Sequence, residues 1–140
     1  MNNKVTQLAQ YIQNEINFVA TMNGLLQEEK ETLIKREFDR LQELSNKKQE
    51  LSLQLEENSK LRMNLLGYNT SNVPSQVLNE FLNDCQDSEV THIHELNHKL
   101  LEQLALCREL NAVNGQVITA NINIRQQIID ALSGKLPGDD

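Results

Sequence analysis

The sequence is poor in aromatic residues, prolines and glycines. It contains no tryptophan, two tyrosines and three phenylalanines, so aromatics make up only 4% of the chain. There are only five glycines and two prolines, and the one long internal run of turn formers, at residues 67–74, contains a single glycine and a single proline. Leucine, isoleucine and valine are plentiful by contrast. This mixture favours long helices packed through aliphatic stripes over a globular enzyme with a deep pocket.

Cysteines and apolar runs are equally scarce. Cys85 and Cys107 are the only cysteines, they lie far apart, and neither belongs to a CxxC or Cys/His metal spacing. Reduced thiols in a reducing compartment are therefore expected. The amino-terminal sequence has no apolar run of signal-peptide length, and no stretch of the chain is apolar enough to span a bilayer. We expect a cytoplasmic protein with no membrane partner.

Positive charge is also in deficit. Thirteen lysines and arginines stand against 20 aspartates and glutamates, which gives a formal net charge of -7. Such a surface does not attract a phosphate backbone over long range, so nucleic acid is excluded as an expected partner. The 140 residues, 39% of them hydrophobic, suffice for one domain with a core.

Apolar spacing predicts two helices in the first half of this single domain, 1–140. Helix 1, about 3–35, follows steps of three and four residues, and the phase of the pattern slips before helix 2, about 37–66. The stripe of helix 2 carries Lys48 and Asn58 at inward positions, which argues for control of helix register. The apolar positions are Val5, Leu8, Ile12, Ile16, Val19, Met22, Leu26 and Leu33, and then Leu41, Leu44, Leu51, Leu55 and Leu65.

The second half contains a linker, 67–74, a short helix, about 75–84, a long helix 3, about 89–132, and a tail, 133–140. Helices of these lengths can pack side by side. The predicted fold class is therefore all-α: an elongated antiparallel three-helix bundle, made of a coiled-coil-like hairpin and a long carboxy-terminal helix.

One motif suggests chemistry. The segment His94-Glu95-Leu96-Asn97-His98 fits the zinc-peptidase pattern H-E-x-x-H. The extended pattern would place a glycine and a histidine where this chain has Leu101 and Leu104, and no third ligand on another element is evident. We therefore expect His92, His94 and His98 to lie on the solvated side of a helix. A zinc hydrolase is the remote alternative; no catalytic residue, metal or cofactor is assigned.

The last helix has an unusually wide apolar arc. A first group of apolar residues suits the core, and a second group, Leu104, Ile118, Ile122 and Ile129, falls roughly 120° away by helical geometry. Two neighbouring helices of the chain, or a second copy, could bury both groups; alternatively, the second group forms a docking groove for an amphipathic helix. Asn111, Asn114 and Asn121 interrupt or border the arc. For these asparagines, a role in fixing the register between packed helices is favoured over a role in binding a client.

These residues resemble the flagellar export chaperones of the FlgN type. The likeness rests on the leucine-rich hairpin QEEKETLIKREFDRLQELSNKKQELSLQLEE and, more specifically, on LNAVNGQVITANI in the last helix, where Leu110, Asn111, Asn114, Gly115 and Ile118 carry it. The resemblance implies a cytosolic chaperone, not an enzyme. It would bind the carboxy-terminal amphipathic helices of hook-filament junction proteins before their secretion by the type III flagellar export apparatus.

The open side of the apolar arc would then be the client site. The candidate client-binding residues are Leu110, Val113, Asn114, Val117, Ile118, Asn121, Ile122, Arg125 and Ile129. The export gate is a further implied partner, although the tail, 133–140, is short and lacks an aromatic residue. We expect a monomer or a weak homodimer. The main alternative is a homodimeric coiled-coil scaffold whose second copy buries the arc.

Overall fold

Four helices make up the part of the chain that the structure describes. The computed structural model covers residues 3–67 and 74–132, apart from the side chains at 74–75, 119, 121–125 and 128. The helices are α1 (Asn3–Lys35), α2 (Phe38–Leu66), α3 (Pro74–Leu82) and α4 (Asp87–Leu132), with no strand among the described residues. The all-α prediction is confirmed. Residues 68–73 of the predicted linker and the tail, 133–140, lie outside the described residues.

Helix α1 is the central element, because both α2 and α4 pack against it while contacting each other little. Its apolar side chains recur at steps of three and four residues and therefore share one broad face. They form two clusters, the larger with α4 and α3 and the smaller with α2. The buried apolar residues of α1 are Val5, Leu8, Ile12, Val19, Met22, Leu26 and Leu33.

A two-residue turn joins α1 to α2. The amide of Glu37 donates to the carbonyl of Thr32 (3.1 Å) and that of Arg36 donates to Leu33 (3.3 Å), the paired bonds of a Schellman motif. Arg36 occupies the left-handed position with φ 58°, where glycine is usual. Because the turn is so short, α2 returns antiparallel along α1.

Polar contacts fix the direction of α4. Asn23 of α1 donates to the Gln103 carbonyl (3.1 Å), and Asn114 donates to the Leu26 carbonyl (2.8 Å). Residue numbers thus rise together along both helices, so α1 and α4 are parallel and α2 runs opposite to both. The bundle is up-down-up, and α3 spans the connection between the end of α2 and the start of α4.

Helix α4 is longer than the hairpin on which it lies. It has 46 residues against 33 in α1. Asn114 is level with Glu29, and α1 ends six residues after Glu29. The part of α4 after about residue 120 therefore extends beyond the hairpin, by roughly 18 Å at 1.5 Å per residue.

Candidate functional site

An apolar groove lies between α2 and α4, with α1 as its floor. We call it the α2–α4 groove. It consists of two adjoining cavities of about 550 Å³ and 370 Å³ that share Leu104. Helix α1 forms the floor with Leu8, Ile12, Val19 and Met22, and α3 lines one end with Val77 and Leu78. The wall on α2 consists of Lys48, Gln49, Ser52, Leu55, Arg62, Met63 and Leu66. The wall on α4 consists of Asn97, Leu100, Leu101, Leu104, Cys107 and Asn111.

The α4 side of the groove carries an exposed aliphatic stripe. Leu101, Leu104, Ile118 and Ile129 are 64%, 38%, 41% and 47% exposed. At about 100° per residue these four positions fall within roughly 100° of the helix circumference, so they form one stripe. The described members of the second apolar group are thus left uncovered by the chain's own helices. The stripe begins at the groove and continues onto the overhanging end of α4.

The structure places the predicted client-binding residues in three settings. Ile118 and Ile129 lie on the exposed stripe, while Leu110, Val113 and Val117 are half-buried at the edge of the packed face. Leu110 packs against the cluster of Met22, Leu26 and Leu51. The side chains of Asn121, Ile122 and Arg125 lie outside the described residues.

Asn114 lies in the packed interface, not on the stripe. Its side chain is 2% exposed, and its amide donates to the Leu26 carbonyl (2.8 Å) and to Glu29 Oε1 (2.9 Å). The other oxygen of Glu29 accepts from Lys48 Nζ. One asparagine, one carboxylate and one ammonium group therefore join all three long helices at a single level. Inward polar contacts of this kind can fix the register of packed helices, and here they leave the Asn114 side chain buried inside the bundle.

A second inward ion pair lies near the other end of the groove. Arg62 Nε is 3.0 Å from Glu15 Oε2, although the contact between these two atoms does not have the geometry of a hydrogen bond. Burial raises the pKa of Glu15, and this effect outweighs the lowering effects of Arg62 and Asn58. The apolar pattern of helix 2 indicates an inward Lys48, but Arg62 is not among the residues predicted from the sequence. The available signal was its spacing, because Arg62 lies two heptads after Lys48 on the same face.

Replacing Glu15 by glutamine should change how stability depends on pH. Because the folded-state pKa of Glu15 is raised, its contribution to stability is fully present below the unfolded pKa and is lost as pH rises through the folded pKa. We expect Glu15→Gln to resemble the wild type near pH 4 and to be the more stable protein near pH 7. Urea unfolding of both proteins at the two pH values measures this. A variant that loses stability relative to the wild type as pH rises would contradict it.

Comparison with protein families matches residues 1–138 to one family, described as FlgN protein. The chain belongs to the FlgN family. Comparisons with curated proteins and with solved structures gave no match. The family comprises flagellar export chaperones, which bind flagellar client proteins, and the resemblance drawn from the hairpin and from LNAVNGQVITANI is thereby confirmed.

Family membership also bears on the H-E-x-x-H motif, because FlgN proteins are chaperones and not an enzyme family. His92, His94 and His98 are exposed on α4, and His98 Nε2 lies 2.9 Å from Glu102 Oε1 on the next turn. No group of three metal-ligating side chains comes together among the described residues. None of the described helices combines the length and apolar character needed to cross a membrane.

Proposed function

We propose that this chain is a cytosolic chaperone of hook-filament junction proteins. It binds the carboxy-terminal amphipathic helix of such a client along the α2–α4 groove and the exposed stripe of α4. Binding prevents premature association of the client and aids its delivery to the type III flagellar export apparatus. The chain contributes recognition and no chemistry.

The observation that carries the proposal is the uncovered aliphatic stripe beside an open groove, in a chain of the FlgN family. An amphipathic helix laid into an apolar groove is a recurrent mode of recognition, with anchors at helical spacing. A client helix that packs against its neighbours in the assembled filament exposes apolar surface as a monomer, and it would aggregate unless covered. Helices α1, α2 and α4 form three sides of the groove, and the client helix completes a four-helix bundle with them.

The contacts proposed for the client follow from exposure. Leu104, Ile118 and Ile129 offer aliphatic anchors on the stripe, and Leu110, Val113 and Val117 border the packed face. Ile122, Asn121 and Arg125 stay in the proposed site on sequence grounds. Asn114 acts through the position of α4, because its amide is bonded inside the bundle.

The test is binding of the carboxy-terminal segment of a hook-filament junction protein to purified chain, followed by calorimetry. Ile118→Asp should weaken binding roughly 30-fold or more, since it places a charge at an apolar anchor. The matched control is Leu53→Asp, which puts the same charge on α2 at a side chain that is 62% exposed and lines neither cavity of the groove. The control should bind as the wild type does, and both variants should keep the helical circular dichroism signal.

Two outcomes would overturn the proposal. Equal binding by the wild type and Ile118→Asp would place the client elsewhere on the molecule. Absence of client binding, together with a stable dimer at micromolar concentration that Ile118→Asp dissociates, would support instead the homodimeric scaffold, in which a second copy covers the stripe.

A further inference from the structure

The α2–α4 groove differs at its two ends. At the end where α2 finishes, α3 crosses from α2 towards the start of α4 and lines the cavity with Val77 and Leu78. At the other end, near the α1–α2 turn, no described helix crosses between α2 and α4. A helix bound in this groove would thus contact α3 at one end, and at the other end it could continue past the α1–α2 turn. A bounded end suits the terminus of a chain better than its middle.

The bounded cavity contains one charged side chain. Its lining is otherwise aliphatic or uncharged, with Arg62 as the single ionisable residue. The Arg62 side chain is 27% exposed, and its only ion pair within the described part of the chain is with Glu15. That contact uses Nε without hydrogen-bond geometry. A guanidinium group offers five N–H donors in a planar fork, so most of its donors remain for a ligand.

An apolar cavity with one partly paired cation favours a ligand that is an apolar helix with an anion at its end. We propose that the bounded end of the groove receives the free α-carboxylate of the client's terminal helix, with Arg62 as its counter-ion. The inference rests on the proposed function. It adds the direction in which the client helix lies and the chemical group of the client, its terminal carboxylate, that the chain recognises. The client helix then runs parallel to α2, with its carboxyl end against α3.

Two physical effects favour this arrangement. Carboxylate and guanidinium match each other in bidentate geometry, and such charge-assisted bonds are about twice as strong as neutral ones. The carboxyl end of a helix also carries the negative pole of its macrodipole, so a cation beside it is favourable. Apolar neighbours such as Leu66, Leu100 and Val77 line the same cavity, and they lower the local dielectric around the pair and so strengthen it.

Glu15 acts as an internal competitor for Arg62. It occupies one edge of the guanidinium while being held in a buried position that disfavours its charge, as its raised pKa indicates. Neutralising Glu15 therefore leaves Arg62 with more unbalanced positive charge towards the cavity. A purely structural role for the Glu15–Arg62 pair would give no such gain in binding.

The experiment uses the full chain and one peptide in two forms. The peptide is the carboxy-terminal segment of a hook-filament junction protein, about 20 residues or about 30 Å as a helix, with either a free carboxylate or a carboxamide at its end. Binding of both forms is measured by calorimetry for the wild type, Arg62→Gln and Glu15→Gln. We expect the carboxamide to bind the wild type about tenfold more weakly than the free acid.

The variants complete the cycle. In Arg62→Gln the preference for the free acid should disappear, and in Glu15→Gln it should increase several-fold. Because Arg62→Gln leaves Glu15 without its counter-ion, the double variant Glu15→Gln/Arg62→Gln is measured as well and should also show no preference. Each comparison lies between two peptides on one protein, so a general loss of stability does not produce it.

The outcomes separate this inference from the proposed function. Equal binding of the free-acid and carboxamide peptides to the wild type overturns the carboxylate site and leaves the proposed chaperone function unaffected. A preference for the acid that persists in Arg62→Gln overturns the role of Arg62. A carboxamide that binds as tightly as the acid, combined with weaker binding to Arg62→Gln, would assign Arg62 to an acidic side chain of the client. Failure of both peptides to bind overturns the proposed function itself.

Discussion

Replacing Leu8 by alanine is expected to lower the free energy of unfolding by about 2–5 kcal/mol. Leu8 is completely buried in the cluster that joins α1 to α4, where it packs with Ile12, Ile93 and Leu96. The substitution removes apolar contacts and leaves a cavity that long, straight helices close poorly. Since single domains are stable by about 5–15 kcal/mol, this loss is a large fraction of the total. Urea unfolding monitored by circular dichroism measures it.

The matched control for Leu8→Ala is Leu53→Ala. The same side chain is removed, but Leu53 lies on α2 with most of its surface in water. Its loss should change the free energy of unfolding by no more than about 0.5 kcal/mol. A loss for Leu8→Ala as small as the one expected for Leu53→Ala would mean that the packing of α4 against α1 contributes little to stability.

The Lys48→Met variant should be the second strongly destabilised protein. It leaves the Glu29 carboxylate, which is largely buried, without its cation while Asn114 still donates to it. Removal of one partner from a fully buried ion pair costs about 3–5 kcal/mol; because Lys48 remains partly exposed, we expect about 2 kcal/mol here. Chemical denaturation at neutral pH is the measurement.

A second substitution tests whether the buried charge is the cause. In Glu29→Gln/Lys48→Met the charge is gone, and the glutamine oxygen can still accept from Asn114. Most of the stability should therefore return in the double variant. If the double variant is as unstable as Lys48→Met, then the lysine acts through packing of its aliphatic stem, and the ionic link between α1 and α2 is of minor importance.

The helices and the hairpin could be predicted from the sequence because their signals are local. Apolar steps of three and four residues mark α1, and the slip in phase near Arg36 marks the turn. The inward positions of Lys48 and Asn58 were also visible, since an amphipathic pattern shows which face a residue occupies. Their partners were not visible. Glu29 and the Tyr11 carbonyl meet them only through the register of two helices, which depends on the whole interface.

The site was predictable to a smaller extent. Two positions of the second apolar group, Ile118 and Ile129, show in the structure the exposure that a docking surface requires. The groove beside them could not be foreseen, because helical patterns do not reveal that α2 and α4 pack on α1 while remaining apart. Nor could the pattern separate Asn114 from its neighbours; only the packing against Leu26 and Glu29 shows that its amide points inward.

The parallel alignment of α1 and α4 has a consequence for the order of folding. The α1–α2 pairs form across a two-residue turn, whereas the contacts of Asn23 and Asn114 join positions 80 to 88 residues apart. Closing so long a loop is slower than forming local contacts, so the hairpin should form first and α4 dock last. During synthesis, the face of α1 that carries Leu8 and Ile12 therefore stays uncovered until residues near Leu100 have emerged from the ribosome. The nascent chaperone thus passes through a stage with the same kind of bare apolar helix that it is proposed to cover on its client.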